Sequence, residues 1–134
     1  MRDWMVLCLT TGLRRQESMT LTWEQVDLEQ KRIVLPTNKS DRFLIVPMIG
    51  LTYDLFQARF QSEEKDDTYV FTTKRGTPIK DARKALAKIC KDAGIAPYSH
   101  HDFRRLAFEC LERPFFPPYS DRAFFRAIDR SSRA

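Results

Sequence analysis

The sequence has no apolar run of the length a bilayer-spanning helix needs, about 20 residues. Its opening, Met-Arg-Asp-Trp-Met-Val-Leu, is too short and too acidic for a secretory signal. Both absences point to a protein that stays in the cytoplasm. Cysteine is scarce. Cys8, Cys90 and Cys110 are odd in number, widely spaced and set among apolar residues, so neither a disulfide framework nor a zinc site is expected. Buried free thiols in a reducing compartment are the expectation instead. Internal repeats and low-complexity tracts are also lacking.

What is present fits one ordinary domain of 134 residues, with 43% hydrophobic and 31% charged side chains around a single core. The net charge of +5 favours a polyanionic partner, because cationic side chains release counterions from nucleic acid. Charge alone does not decide between partners, so the motifs must.

Periodicity outlines the elements. Residues 4–11 are apolar nearly all round and stop at Gly12, which predicts a buried helix ended by a residue free to take positive φ. A second short helix is expected over residues 14–21 with Met19 inward, and one more turn over residues 23–26. Residues 32–36 and 43–47 are short β-branched runs around the polar stretch 37–41, which reads as a hairpin with Lys39 near its tip. An amphipathic helix over 49–60 would use Leu51, Leu55, Phe56 and Phe60, followed by a solvated acidic loop at 63–67. Tyr69-Val70-Phe71 reads as a third strand and residues 74–78 as the turn after it. Ala82, Leu86, Ile89, Cys90 and Ala93 recur at helical spacing within residues 79–93, closed by Gly94. A further helix, capped by Ser99, runs to about Glu112 and is stopped by Pro114, Pro117 and Pro118. A last helix over 121–128, capped by Ser120, would gather Phe124, Phe125 and Ile128. The sum is an α+β fold, mainly helical, with a small antiparallel hairpin or three-stranded sheet.

Four pieces of sequence carry chemistry together. Thr11-Gly12-Leu13-Arg14-Arg15-Gln16-Glu17 places an arginine after Gly-Leu and an acid three positions later, where Glu17 can brace Arg14 on a helix. Thr22-Trp23 is followed by Asp27. Asn38-Lys39 is followed by Arg42 and by Val46-Pro47 on the return of the hairpin. His101-Asp102-Phe103-Arg104-Arg105 is a His-x-x-Arg sequence whose register selects His101 over His100. Taken singly, each is ordinary: a helix stop, a surface lysine, a solvated helical face. In this order, across residues 4–105, they resemble the catalytic domain of the tyrosine recombinases, the phage integrase family.

The resemblance implies that fold, double-stranded DNA as partner, and association with other recombinase protomers. It also implies a nucleoid location if the source is bacterial or phage, with no membrane, metal or cofactor involved. It assigns Arg14 and Arg104 to the scissile phosphate, Lys39 to protonation of the departing 5′ oxygen, His101 to proton movement at the nucleophile, and Glu17 to support of Arg14. Two guanidinium groups can each donate paired hydrogen bonds to the non-bridging oxygens that gather charge in the transition state. Losing one such donor costs on the order of 10² or more in rate.

The pattern departs after Arg104. The family continues Thr-Phe-Ala-Thr, then a Gly-His or Gly-Trp pair, then its nucleophilic tyrosine, due near the position of Ala134. This chain reads Leu106-Ala107-Phe108-Glu109-Cys110 and has neither the pair nor a tyrosine there. Tyr119 lies too close to Arg104, in a proline-bounded turn, and Tyr53, Tyr69 and Tyr98 precede the histidine motif. Residues 113–134 hold five arginines, two aspartates and no lysine, a net +3. The expectation is a partial catalytic domain over 1–112 and a divergent Arg/Phe-rich tail over 113–134, with a frameshift or truncation having replaced the original ending. The same expectation extends to the front, where the chain starts almost at the first catalytic-domain helix and the family's separate DNA-clamping domain is not expected. Three functions remain open: a catalytic core whose tyrosine arrives from another protomer, a DNA-binding remnant that cannot cut, or a module whose aromatic tail docks on an intact integrase. The sequence favours the second over autonomous catalysis.

Overall fold

Among the described residues the order of elements is α1 (Arg2–Thr11), α2 (Arg15–Met19), a 3₁₀ turn (Trp23–Gln25), β1 (Val26–Asp27), β2 (Arg32–Pro36), β3 (Phe43–Pro47), α3 (Gly50–Phe60), α4 (Arg83–Ala93) and α5 (His100–Glu112). The computed structural model describes residues 1–36, 43–62 and 66–112, with side chains as far as residue 109. Residues 113–134, including the expected last helix, lie outside the described residues, as do the hairpin tip and residues 63–65 of the acidic loop. The chain divides into two compact units.

The first unit joins Met1–Gly12 to the chain from Lys80 onward. Helix α1 buries Trp4, Met5, Leu7, Cys8 and Leu9, and it packs against α5, which buries Phe103, Leu106 and Ala107. The Trp4 ring meets Phe103 edge-on at 6.4 Å between centroids. Gly12 ends α1 at φ 64, its N–H donating to the Cys8 carbonyl at 3.0 Å. A Cβ at Gly12 would stand 3.3 Å from the Ala107 Cβ, so the glycine also permits close approach of α5. Helix α4 buries Leu86 and Cys90 and ends at Gly94, also at φ 64. It begins at Arg83 and not at residue 79, the expected start, because the Asp81 carboxylate accepts the Arg83 N–H at 2.9 Å and holds a turn before the helix. Cys8 and Cys90 are buried, and the Cys90 Sγ accepts the Tyr98 N–H at 3.4 Å.

The second unit, Leu13–Ile79, is built on an antiparallel sheet in the order β1-β2-β3. The hairpin has the expected limits, with Ile33 opposite Val46 and Leu35 opposite Leu44, and β2 turns Ile33 and Leu35 into the core. The third strand is β1 rather than residues 69–71. Val26 and Asp27 pair with Ile33 and Arg32, so the turn expected over 23–26 stops at Gln25. Asp27 secures the connection to β2: its carboxylate accepts from the Gln30 N–H at 2.9 Å and from Arg32 Nε at 3.3 Å. Residues 69–71 run beside 21–23 with a single bridge, Thr22 to Tyr69. Side chains take the backbone groups a ladder would use. Asp66 accepts the N–H of both Thr68 and Tyr69, and the Arg59 guanidinium donates to the Val70 carbonyl at 3.1 and 2.8 Å.

Helix α3 also differs from the expected pattern. Its inward residues are Thr52 and Phe56, one turn apart, while Leu51 and Phe60 are exposed and Leu55 is half-buried. Trp23 covers part of this face, meeting Phe56 and Phe60 edge-on at 6.3 and 5.4 Å between centroids. The turn over 74–78 forms as expected, with Gly76 at φ 74 and its N–H donating to Thr73.

Candidate active site

The His-x-x-Arg sequence occupies the first turns of α5. Ser99 and Asp102 cap this helix reciprocally: the Asp102 carboxylate accepts the Ser99 N–H and hydroxyl, both at 2.7 Å, and the Asp102 N–H faces the Ser99 Oγ at 3.4 Å. These bonds from Ser99, aided by the nearby Arg105 guanidinium and by His101, hold the Asp102 carboxyl below its ordinary pKa against the opposing effect of burial. His100 packs its ring 6.1 Å from Trp4, on the side facing α1. The next residue, His101, is therefore turned outward and is exposed. It stands one helical turn before Arg104, so the two share a face.

The two adjacent arginines have different surroundings. Arg105 is held by Asp102 at 3.5 Å and Glu109 at 3.8 Å. No carboxylate among the described residues pairs with Arg104. Its guanidinium lies over the Phe108 ring, 5.2 Å from the centroid. One arginine thus stabilises the helix surface and the other keeps its N–H groups available to an anion.

Arg14 belongs to the second unit, in extended conformation at the N-cap of α2. Glu17 reaches back to it, but to the main chain: its carboxylate accepts the Arg14 N–H at 2.7 Å. The brace therefore fixes where the Arg14 side chain leaves the backbone and leaves the guanidinium, which is exposed, without a carboxylate partner among the described residues. His101 and Arg104 are brought together on α5, and Arg14 and Glu17 at the start of α2. Lys39 and Tyr119 lie outside the described residues.

Tyr53 accepts a hydrogen bond from Gln57 and lies under the Lys31 ammonium, and Tyr98 stacks on Phe103 at 6.0 Å between centroids. Sequence reasoning missed two residues beside the motif. Asp102 as the capping partner of Ser99 was legible in the Ser-x-x-Asp spacing, and Phe108 in its position one turn after Arg104. Among the described residues no cluster of His, Cys, Asp and Glu is placed to hold a metal ion, and no helix is long and apolar enough to cross a membrane.

The helix-borne His-x-x-Arg, the Gly-Leu-Arg turn and the three-stranded antiparallel sheet define the fold of tyrosine recombinase catalytic domains. Solved structures of that class are similar in fold over most of this chain. The Tn1549 transposon integrase, in complex with circular intermediate DNA, matches with a TM-score of 0.68 at 20% identity over 88% of this chain and 47% of its own. XerA recombinase matches at 0.66 and 22% identity, over 84% of this chain and 44% of its own. XerH recombinase, bound to its difH substrate in a pre-cleavage complex, matches at 0.62 and 20% identity, over 85% and 36%. The chain thus spans less than half the length of these solved chains. No curated protein matches the sequence. The sequence profile of the phage integrase family matches residues 1–114, beyond the departure at Leu106, and the chain belongs to that family.

Proposed function

We propose that the chain is a DNA-binding catalytic-core segment of a site-specific tyrosine recombinase. The observation that carries this reading is the start of α5. Capping and the packing of His100 on Trp4 turn His101 outward beside Arg104, whose charge no described carboxylate neutralises. The Tn1549 integrase and XerH, similar in fold, were solved with DNA, which makes duplex DNA the partner to test.

In the reaction proposed, a tyrosine hydroxyl attacks the scissile phosphorus, forming a phosphotyrosyl bond as the bond to the 5′ oxygen breaks. Arg14 and Arg104 hold the non-bridging oxygens, Lys39 gives a proton to the departing oxygen, and His101 assists proton movement at the tyrosine. Glu17 positions Arg14 through its backbone. Residues 1–112 form the catalytic-domain part and residues 113–134 a divergent tail. No tyrosine follows Tyr119, so these 134 residues are expected to bind DNA without forming the covalent link unaided.

A nicked duplex tests this. Binding should weaken steeply with salt, Arg14→Ala and Arg104→Ala should each weaken it, and no protein–DNA adduct should survive denaturant. An adduct abolished by Tyr119→Phe would overturn the assignment of the nucleophile. Docking on an intact integrase is the second reading, favoured by the apolar edge of the sheet, where Phe43, Leu44 and Ile45 are 66%, 43% and 54% exposed. Absence of DNA binding, with capture of an intact integrase, would select it.

A further inference from the structure

Phe108 has no part in the functional pattern above, and packing accounts for only part of it: one edge of the ring lies near Gly12, with Cε2 and Cζ 3.9 Å from where a Cβ there would stand, while the side chain is 48% exposed on α5. The buried face of that helix is supplied by its neighbours Leu106 and Ala107. The ring lies one turn beyond Arg104, beneath the guanidinium at 5.2 Å from its centroid. A planar cation over a ring face is attracted by the ring's quadrupole, and a stacked guanidinium keeps its in-plane N–H donors available at its edges. An unrestrained arginine gives up much of its rotamer freedom when it grips a phosphate. Arg105, on the same turn, is restrained by Asp102 and Glu109. An acid partner at Arg104 would restrain it too, but would compete with the phosphate for its donors.

We infer that Phe108 is a positioning residue for Arg104, an aromatic platform that orders the guanidinium for a phosphate oxygen without neutralising it. This rests on the reading of Arg104 as a phosphate ligand. Aromatic substitutes should therefore serve and aliphatic ones should not, and the effect of Phe108 should vanish once Arg104 is gone.

The test is a double-mutant cycle on the full chain, measuring affinity for a short fluorescein-labelled duplex at fixed salt. Phe108→Leu is expected to weaken binding by about two- to fivefold, the range of an exposed cation–π contact. Phe108→Tyr should bind like the parent. In an Arg104→Ala background, Phe108→Leu should change nothing further. Equal losses from Phe108→Leu in both backgrounds would show a merely structural role and overturn the inference, as would parental affinity for Phe108→Leu alone. Parental affinity for Arg104→Ala would remove the phosphate reading itself, and the inference with it. Thermal melts of each variant exclude unfolding as the source of any loss.

Discussion

At the scale of single residues, glycines show how much a position can demand beyond its dihedral angle. Gly12 and Gly94 both end helices at φ 64, but of the two only Gly12 faces neighbours, the Ala107 Cβ at 3.3 Å and the Phe108 ring at 3.9 Å from where its own Cβ would stand. An L-residue in this conformation costs roughly 1–2 kcal/mol. Gly94→Ala should show that cost alone, whereas Gly12→Ala should add the displacement of α5 from α1. Urea unfolding of the two variants compares them directly. Equal losses would mean that the close approach at Ala107 contributes nothing. The helix stop at Gly12 was legible in the sequence, since an apolar run ending in glycine announces it. The approach of Ala107 was not, because sequence periodicity reports the face a helix buries and not its partner. The same limit applied at Arg14. Its spacing to Glu17 was legible, but whether the carboxylate would meet the guanidinium or the main chain depended on Arg14 standing at the N-cap, outside the helix.

Among elements, the legible ones were those whose side chains alternate or recur without interference from polar neighbours. The β2–β3 hairpin and the C-terminal limits of α1 and α4 fall into this group. Residues 69–71 looked like a strand because they are aromatic and β-branched, yet Asp66 and Arg59 claim their backbone groups. A two-residue strand such as β1 carries too short a pattern to read. Helix α5 offers an element-scale prediction, because its N-terminal cap depends on an ionised carboxylate. Asp102 has a folded-state pKa below its ordinary value, chiefly through hydrogen bonds from Ser99. Its contribution is therefore fully present above the unfolded carboxylate pKa, near 3.9. It is lost as pH falls below that value and through the lower folded pKa. Asp102→Asn should cost about 0.5–2 kcal/mol at neutral pH, the usual range for a cap. The gap from the parent should narrow on acidification below about pH 4. Stability measured against pH for both proteins checks the sign; a gap that widened in acid would contradict the capping role. His101 should lose order along with the cap, two residues away.

Over the whole molecule, the first unit is discontinuous, drawing Met1–Gly12 together with residues from Lys80 onward. That arrangement could not be read from periodicity, which gave a single domain in sequence order. It follows from hydrophobicity all the same: α1 is apolar nearly all round and must be buried, and α5 offers Phe103, Leu106 and Ala107 to bury it. Closing this core across the intervening residues costs chain entropy before any contact repays it, which makes its stability depend on a few large side chains. Trp4 is the largest of them, fully buried between Phe103 and His100. Trp4→Ala should therefore cost about 3–5 kcal/mol. The loss should appear as faster amide hydrogen exchange through α5, whose partner helix it weakens. Because His101 and Arg104 ride on α5, DNA affinity should fall in the same variant even though Trp4 makes no contact with a phosphate in the proposed site. Unchanged exchange in α5 would separate α1 from the core that holds the histidine and arginine, and the dependence of the site on the opening helix would have to be abandoned.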